Sequence, residues 1–172
     1  MKKINKYLLT VVMGIAVSGV VYAATQSFNA PVRFIQPLSF ASATDPNMGD
    51  WYSGAASRGI GIDTTAAATG TNSADYVAGA SVGSVDILGS ASRTISIVAN
   101  NFANGGGKVD ITGVPCSWNG GAETACDGAG ITGASTTPVG HTLLLGVSAT
   151  TNAVTVDGDT ATPTFDIVVS YE

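Results

Sequence analysis

Charge is scarce in this chain, and basic residues are the scarcest of all. Asp, Glu, Lys and Arg make up 11% of the 172 residues, and three of the seven Lys and Arg residues stand within the first six positions. The rest of the chain has four basic residues against twelve acidic ones, a formal charge of −8: Arg33, Arg58, Arg93 and Lys108. An acidic surface of this kind argues against nucleic acid and anionic lipid as partners.

Cysteine is nearly absent as well. Cys116 and Cys126 are the only two, and in an oxidising compartment we expect them to form one disulfide. Closing so short a loop contributes about 2–3 kcal/mol by the chain-entropy model. The alternative, a metal site, would need more ligands than the single His141 can add.

Helical periodicity is lacking after the first residues, and helix chemistry is poor. The chain has 22 glycines, each of which weakens a helix interior by about 1 kcal/mol. Strands and tight turns suit this composition, and the length suits one domain.

The first 23 residues have the order of a cleavable secretion signal. Lysines come first, an apolar run from Tyr7 to Tyr22 follows, and small residues surround Ala23, after which we expect cleavage. The run is short for a membrane span, which needs about 20 residues. We therefore expect export through the periplasm and no membrane span after processing.

Period-two alternation between turn residues predicts six or seven strands. They cover Val32–Phe40, Val82–Leu88, Arg93–Val98, Lys108–Val114, His141–Val147, Ala153–Val156 and Thr164–Tyr171. Gly89-Ser90-Ala91 has the composition of a tight hairpin connection. The pattern favours an all-β, immunoglobulin-like Greek-key sandwich over residues 35–172.

From Ala41 to Gly79 turn residues interrupt the alternating pattern. We expect a long decorated loop there, in which Ile60 and Ile62 start a strand. Its aromatic pair, Trp51 and Tyr52, is either a core plug or an exposed contact, and burial energies favour packing. Trp118, on the loop between the cysteines, is either a contact residue or a cap over the domain.

Candidates for catalysis are few. A Ser-His-Asp triad would have to use His141, which opens an apolar stretch without a nucleophile elbow, so we expect an edge-of-sheet histidine. Asp157-Gly158-Asp159 lacks the rest of a calcium loop and predicts a turn. Lys108 predicts a solvated residue at a strand end. We expect neither an enzyme nor a bound cofactor or metal.

The last predicted strand has a distinctive pattern of side chains. In TFDIVVSY, one face holds Phe165, Ile167, Val169 and Tyr171, while Tyr171 stands one residue before the end and Gly158 fourteen residues before the last. This pattern resembles the C-terminal strand of chaperone–usher pilus subunits. It is also similar to a family of small secreted bacterial domains with such a terminal strand.

The pilin resemblance implies an incomplete sandwich that is completed by strand donation. A periplasmic chaperone would first fill the groove beside the terminal strand, and the N-terminal arm of the next copy would then replace it during assembly at an outer-membrane usher. The arm candidate is residues 24–34, with Phe28, Ala30, Val32 and Phe34 on one face; Pro31, which cannot donate to a ladder, would end the paired part at Ala30.

Two functions follow as expectations. The first is a structural subunit of a cell-surface filament built from copies of this chain. The alternative is a secreted module that binds a glycan or another surface through Trp51, Tyr52 and Trp118.

Overall fold

The computed structural model describes residue 29 and residues 31–172. The predicted signal, along with Phe28 and Ala30 of the predicted arm, lies outside the described residues. Residues from Phe34 to Glu172 form one compact unit. No helix of the described part is long and apolar enough to cross a membrane.

The compact unit is all-β, as predicted, and its only helical element among the described residues is a 3-10 turn at Ser73–Asp75. The strands are β1 Ser39–Thr44, β2 Asp50–Trp51, β3 Gly59–Ile62, β4 Ala68–Thr69, β5 Tyr76–Ala78, β6 Gly83–Leu88, β7 Thr94–Ala103, β8 Val109–Gly113, β9 Pro115–Trp118, β10 Thr124–Ala125, β11 Ile131–Ser135, β12 His141–Leu145, β13 Val147–Thr151 and β14 Thr164–Tyr171.

The strands form four sheets in which all the pairs are antiparallel. The first has the order β1-β6-β12-β9-β10, the second β11-β7-β14, the third β4-β3-β13-β8 and the fourth β2-β5. The chain changes between the third and the first sheet twice. It passes from β8 in the third sheet to β9 in the first, and later from β12 in the first sheet back to β13 in the third. The Gly146 amide donates to the Pro115 carbonyl at the bend, 2.8 Å away.

The main hydrophobic cluster, called the main cluster below, joins side chains of the first and second sheets. Strict alternation on β6 buries Val85 and Ile87, and alternation on β7 buries Ile95 and Ile97. Fully burying such a side chain contributes about 1.5–3 kcal/mol. A second cluster, formed by Ile60, Val109 and Ala149 with Trp51 packed against it, belongs to the third sheet.

The predicted disulfide is confirmed. Cys116 and Cys126 are bonded, their Cα atoms lie 5.8 Å apart, and both side chains are fully buried in the main cluster. The segment between them is not a plain loop, because β9 and β10 pair as a hairpin. The Cys126 carbonyl also accepts from the Ala99 amide of β7, and this hydrogen bond links the disulfide-closed hairpin to the second sheet.

Several predicted strand details are wrong. Gly89-Ser90-Ala91 does not close a hairpin, because β6 pairs with β1 and β12 while β7 pairs with β11 and β14. This connection leads from the first sheet to the second. Strand pairing near the N-terminus starts at Ser39 rather than Val32, and Ala153–Val156 is irregular because Thr155 instead bonds to Gly54.

The other differences concern strands that change partners. His141–Val147 is not one strand, because the chain passes from β12 to β13, and from the first sheet to the third, at Gly146. A Cβ at Gly146 would collide with the Ile62 carbonyl oxygen. The segment from Ala41 to Gly79 contains β2 to β5 rather than a long loop, and Ile60 and Ile62 lie in β3 as predicted.

Candidate functional site

The C-terminal strand β14 is the longest sheet edge in the described structure. It pairs with β7 from Thr164↔Ala103 to Tyr171↔Ile95, with one irregularity between Thr164 and Asp166. No described strand pairs with its other side, since the second sheet has the order β11-β7-β14. Backbone groups on that side are therefore available to another strand.

Side chains of β14 alternate as the sequence predicts. Thr164, Asp166, Val168 and Ser170 are exposed, whereas Phe165, Ile167, Val169 and Tyr171 pack against the main cluster and are only half-buried. We call these last four the terminal stripe. On the neighbouring strand β7, Ile95 and Ile97 are fully buried. The main cluster is thus less well covered along β14 than along β7.

Tyr171 fixes one end of this edge. Its hydroxyl donates to the Gln36 carbonyl at 2.7 Å and accepts from the Ser90 amide at 2.6 Å. A Cβ at Gly89 would lie 2.8 Å from the same oxygen and 3.0 Å from Leu38, so glycine is needed there for the close approach. The segment that precedes β1 therefore meets the end of β14.

The remaining edges offer less to a partner strand. In β1 a bulge between Ala41 and Ala43 places Ser42 at a φ of 48°, and β8 and β11 also have irregular register. The other outer strands, β2, β4, β5 and β10, have only two or three residues each. Bulges and short strands protect sheet edges from pairing with other chains. By comparison, β14 is regular from Asp166 to Tyr171 and carries neither proline nor lysine.

No protein-family model, curated protein or solved structure matches this chain. The pilin resemblance therefore stays a prediction that depends on the residues themselves.

The structure separates some residues that the resemblance groups together. Gly158 lies in a turn with a φ of 83°, six positions before β14 begins, and is not part of the terminal stripe. Val32 is 74% exposed and Phe34 is 87% exposed. Both precede the first strand of the compact unit.

The three aromatic residues that the alternative function would use as contacts do not form one surface. Trp51 is half-buried and packs edge-on against Tyr76, with ring centroids 5.4 Å apart. Its neighbour Tyr52 is 64% exposed, so packing, predicted for both, holds for Trp51 and is wrong for Tyr52. Trp118 packs against the main cluster instead, and its ring meets His141 edge-on at 5.5 Å.

The residues considered for catalysis have structural partners. His141 is the first residue of β12; it pairs with Ile87 of β6, whereas β9 pairs with β12 only from Leu143 to Leu145. No hydrogen bond joins its ring to a serine or a carboxylate among the hydrogen bonds of the described residues. The described part of the chain also contains no group of three or more metal-ligating side chains.

Lys108 and the Asp157-Gly158-Asp159 turn form one unit. Asp159 accepts from the Lys108 ammonium at 2.5 Å and from the Val156 amide at 2.7 Å. The hydrogen bond from Lys108 is the main cause that lowers the pKa of Asp159 from its ordinary value of 3.8. The sequence therefore predicted the turn correctly but not the ion pair.

Proposed function

We propose that this chain is a structural subunit of a cell-surface filament. Copies join when the N-terminal arm of one, residues 24–34, pairs through Ala24–Ala30 with the free edge of β14 in the next. The observation that carries the proposal is the regular, unprotected edge of β14 above a partly exposed apolar stripe. An added strand would pair with the backbone and cover the main cluster at the same time.

The fold that goes with this proposal is an immunoglobulin-like sandwich completed by the donated strand. In its support, the main cluster joins side chains of the first and second sheets, and each of these sheets ends in a strand without a second neighbour, β1 and β14. The Tyr171 hydroxyl at the end of β14 donates to the carbonyl of Gln36, three residues before β1 begins. A periplasmic chaperone would protect the β14 edge before an usher assembles the filament.

The arm has the properties required of a donor. Val32 and Phe34, the two described apolar residues of the arm, are 74% and 87% exposed, so neither is held in a hydrophobic cluster. One face of the arm is apolar at Phe28, Ala30 and Val32, and such alternation sets register in strand addition. Since unpaired edges associate, we expect mature protein without a partner to self-assemble or to be unstable.

The test removes the arm. Deleting Ala24–Ala30 should leave a folded compact unit, measured by circular dichroism, that forms no filaments in electron micrographs. A finer test places two aspartates on the apolar face of the paired part, Phe28→Asp with Ala30→Asp, which should also prevent assembly. Its matched control adds the same charge on the opposite face, Ser27→Asp with Asn29→Asp, and should still assemble. Filaments that persist without the arm contradict the proposal.

A further inference from the structure

A second surface, unrelated to the β14 edge, is a cleft of about 740 Å³ over the second cluster. Two segments form its walls, one around Trp51 and one leading into β14, while Ile60 and Val109 line the space between them. We call it the Trp51 cleft. Small-molecule sites in proteins have volumes of about 300–1,000 Å³ and combine apolar walls with a few polar groups.

Hydrogen bonds hold the walls of the Trp51 cleft in place. Gly54 and Thr155 exchange two of them across the walls, each 2.9 Å long: the Gly54 amide donates to the Thr155 hydroxyl, and the Thr155 amide donates to the Gly54 carbonyl. Arg58, whose side chain is 11% exposed, donates to the Tyr52 carbonyl and to Asp75. A cleft that is formed in advance costs a ligand little ordering.

Apolar surface is concentrated at the mouth of the cleft. Tyr52 is 64% exposed, Val156 is 60% exposed and Val77 is 49% exposed, and all three line the cleft. The Trp51 indole N–H is satisfied by the Met48 carbonyl at 2.9 Å, so the polar atom of Trp51 is not left in need of a partner. The mouth thus offers an aromatic ring and aliphatic groups as a contact surface.

The charges of the cleft select against anions. Its two basic residues are both neutralised, Arg58 by Asp75 and Lys108 by Asp159. Asp50 and Asp157 are exposed carboxylates at the same cleft. Ionised carboxylates only accept hydrogen bonds, so they suit a ligand that is rich in hydroxyl donors and repel phosphate, sulfate or a carboxylate.

We propose that the Trp51 cleft binds a neutral saccharide, whose C–H face lies against Tyr52 and whose hydroxyls donate to Asp50 and Asp157. A sugar ring has both surfaces, an apolar face of C–H groups and an equatorial rim of donors. This site excludes Trp118, which packs elsewhere on the main cluster. It does not depend on filament formation.

The test follows the fluorescence of Trp51 in the full chain, with Trp118→Phe introduced so that Trp51 is the only tryptophan. Three probes share a β-1,4-linked backbone of gluco configuration but differ in charge: neutral N-acetylglucosamine oligomers, cationic glucosamine oligomers and anionic β-1,4-linked oligomers of glucuronic acid. Neutral mannan, xylan and glucan oligomers complete the panel. We expect saturable binding of at least one neutral oligomer, changed by no more than about twofold by salt, and none of the anionic probe.

Two pairs of variants locate the site. Tyr52→Ala should weaken binding about tenfold, as expected for loss of an aromatic contact, while Val139→Ala, a truncation at a 90% exposed residue outside the cleft, should not. Asp157→Asn should weaken binding several-fold, whereas the same change at the exposed Asp45 should have no effect. All four positions are exposed, so folding should be retained, and thermal melts verify this.

Three results would overturn the proposal. They are a flat Trp51 signal across all the neutral oligomers, binding that Tyr52→Ala and Val139→Ala weaken equally, and binding of the cationic probe alone that salt abolishes. The last would identify the cleft as a site for cations rather than for saccharides.

Discussion

Replacing Tyr171 by phenylalanine removes one oxygen atom and tests whether that atom fixes the end of β14. The ring stays in the main cluster, but the Ser90 amide loses its acceptor and the Gln36 carbonyl loses its donor. Gln36 is exposed, so water can replace the lost donor, whereas Ser90 is half-buried. A partly buried amide without a partner costs about 1–2 kcal/mol.

Urea unfolding of the purified protein measures this cost. With an m-value of about 2 kcal/mol/M, the midpoint should fall by about 0.5–1 M. Tyr52→Phe is the matched control, because Tyr52 is exposed and its hydroxyl has no hydrogen bond within the described part of the chain; it should change the free energy of unfolding by less than about 0.5 kcal/mol. Equal midpoints for the two variants would refute the structural role of the Tyr171 hydroxyl.

Three further predictions concern other parts of the domain. Replacing both Cys116 and Cys126 by alanine should lower the free energy of unfolding by about 3 kcal/mol in urea titrations, as loop closure over ten positions implies, and a reductant should then have no effect on the variant. Arg58 lowers the pKa of Asp75, and Lys108 lowers that of Asp159. The stability that these carboxylates contribute is therefore fully present above their ordinary pKa and is lost as the pH falls through the lowered folded values. Tm should accordingly decrease less steeply below about pH 4 in Asp75→Asn and in Asp159→Asn than in the unchanged protein. Asp45→Asn, the control, should change this decrease less. Gly105→Ala should cost about 1–3 kcal/mol in the same titrations, because its Cβ would collide with the backbone of Thr162, whereas Gly113→Ala, with 3.4 Å to its nearest neighbour, should cost much less.

Local patterns in the sequence predicted local structure well. Alternation from Phe165 to Tyr171 specified β14 and its core-facing side, because a period of two leaves one arrangement of faces. The two cysteines, close together in the part of the chain that follows a predicted export signal, specified the disulfide. In each case the deciding interactions lie within a short span of sequence.

Partner choice was the part that the sequence did not specify. Gly89-Ser90-Ala91 indicates a turn but does not determine whether the next strand pairs with the previous one, and here β7 joins the second sheet. The stretch HTLLLGV shows no break in its apolar pattern, although the chain changes sheets at Gly146. Glycine is required there because a Cβ would collide with the backbone of Ile62 and Asp63 and with the Pro115 ring, and these contacts join distant segments.

The sequence did not predict the Trp51 cleft either, because the segments that form it are far apart along the chain. Its walls are joined by Gly54 and Thr155, which stand 101 positions apart. The sequence favoured packing for Trp51 and Tyr52 and left Trp118 open between a contact residue and a cap, so it did not show which of the three share a surface. Only the packing of Trp118 beside His141 separates it from the other two.

Electron microscopy of the purified, processed protein tests the filament most directly. The proposal predicts filaments in which Ala24–Ala30 of one copy form a strand beside β14 of the next, on the side opposite β7. Monodisperse particles with a stable fold, or filaments in which the outer edge of β14 is empty, would contradict it.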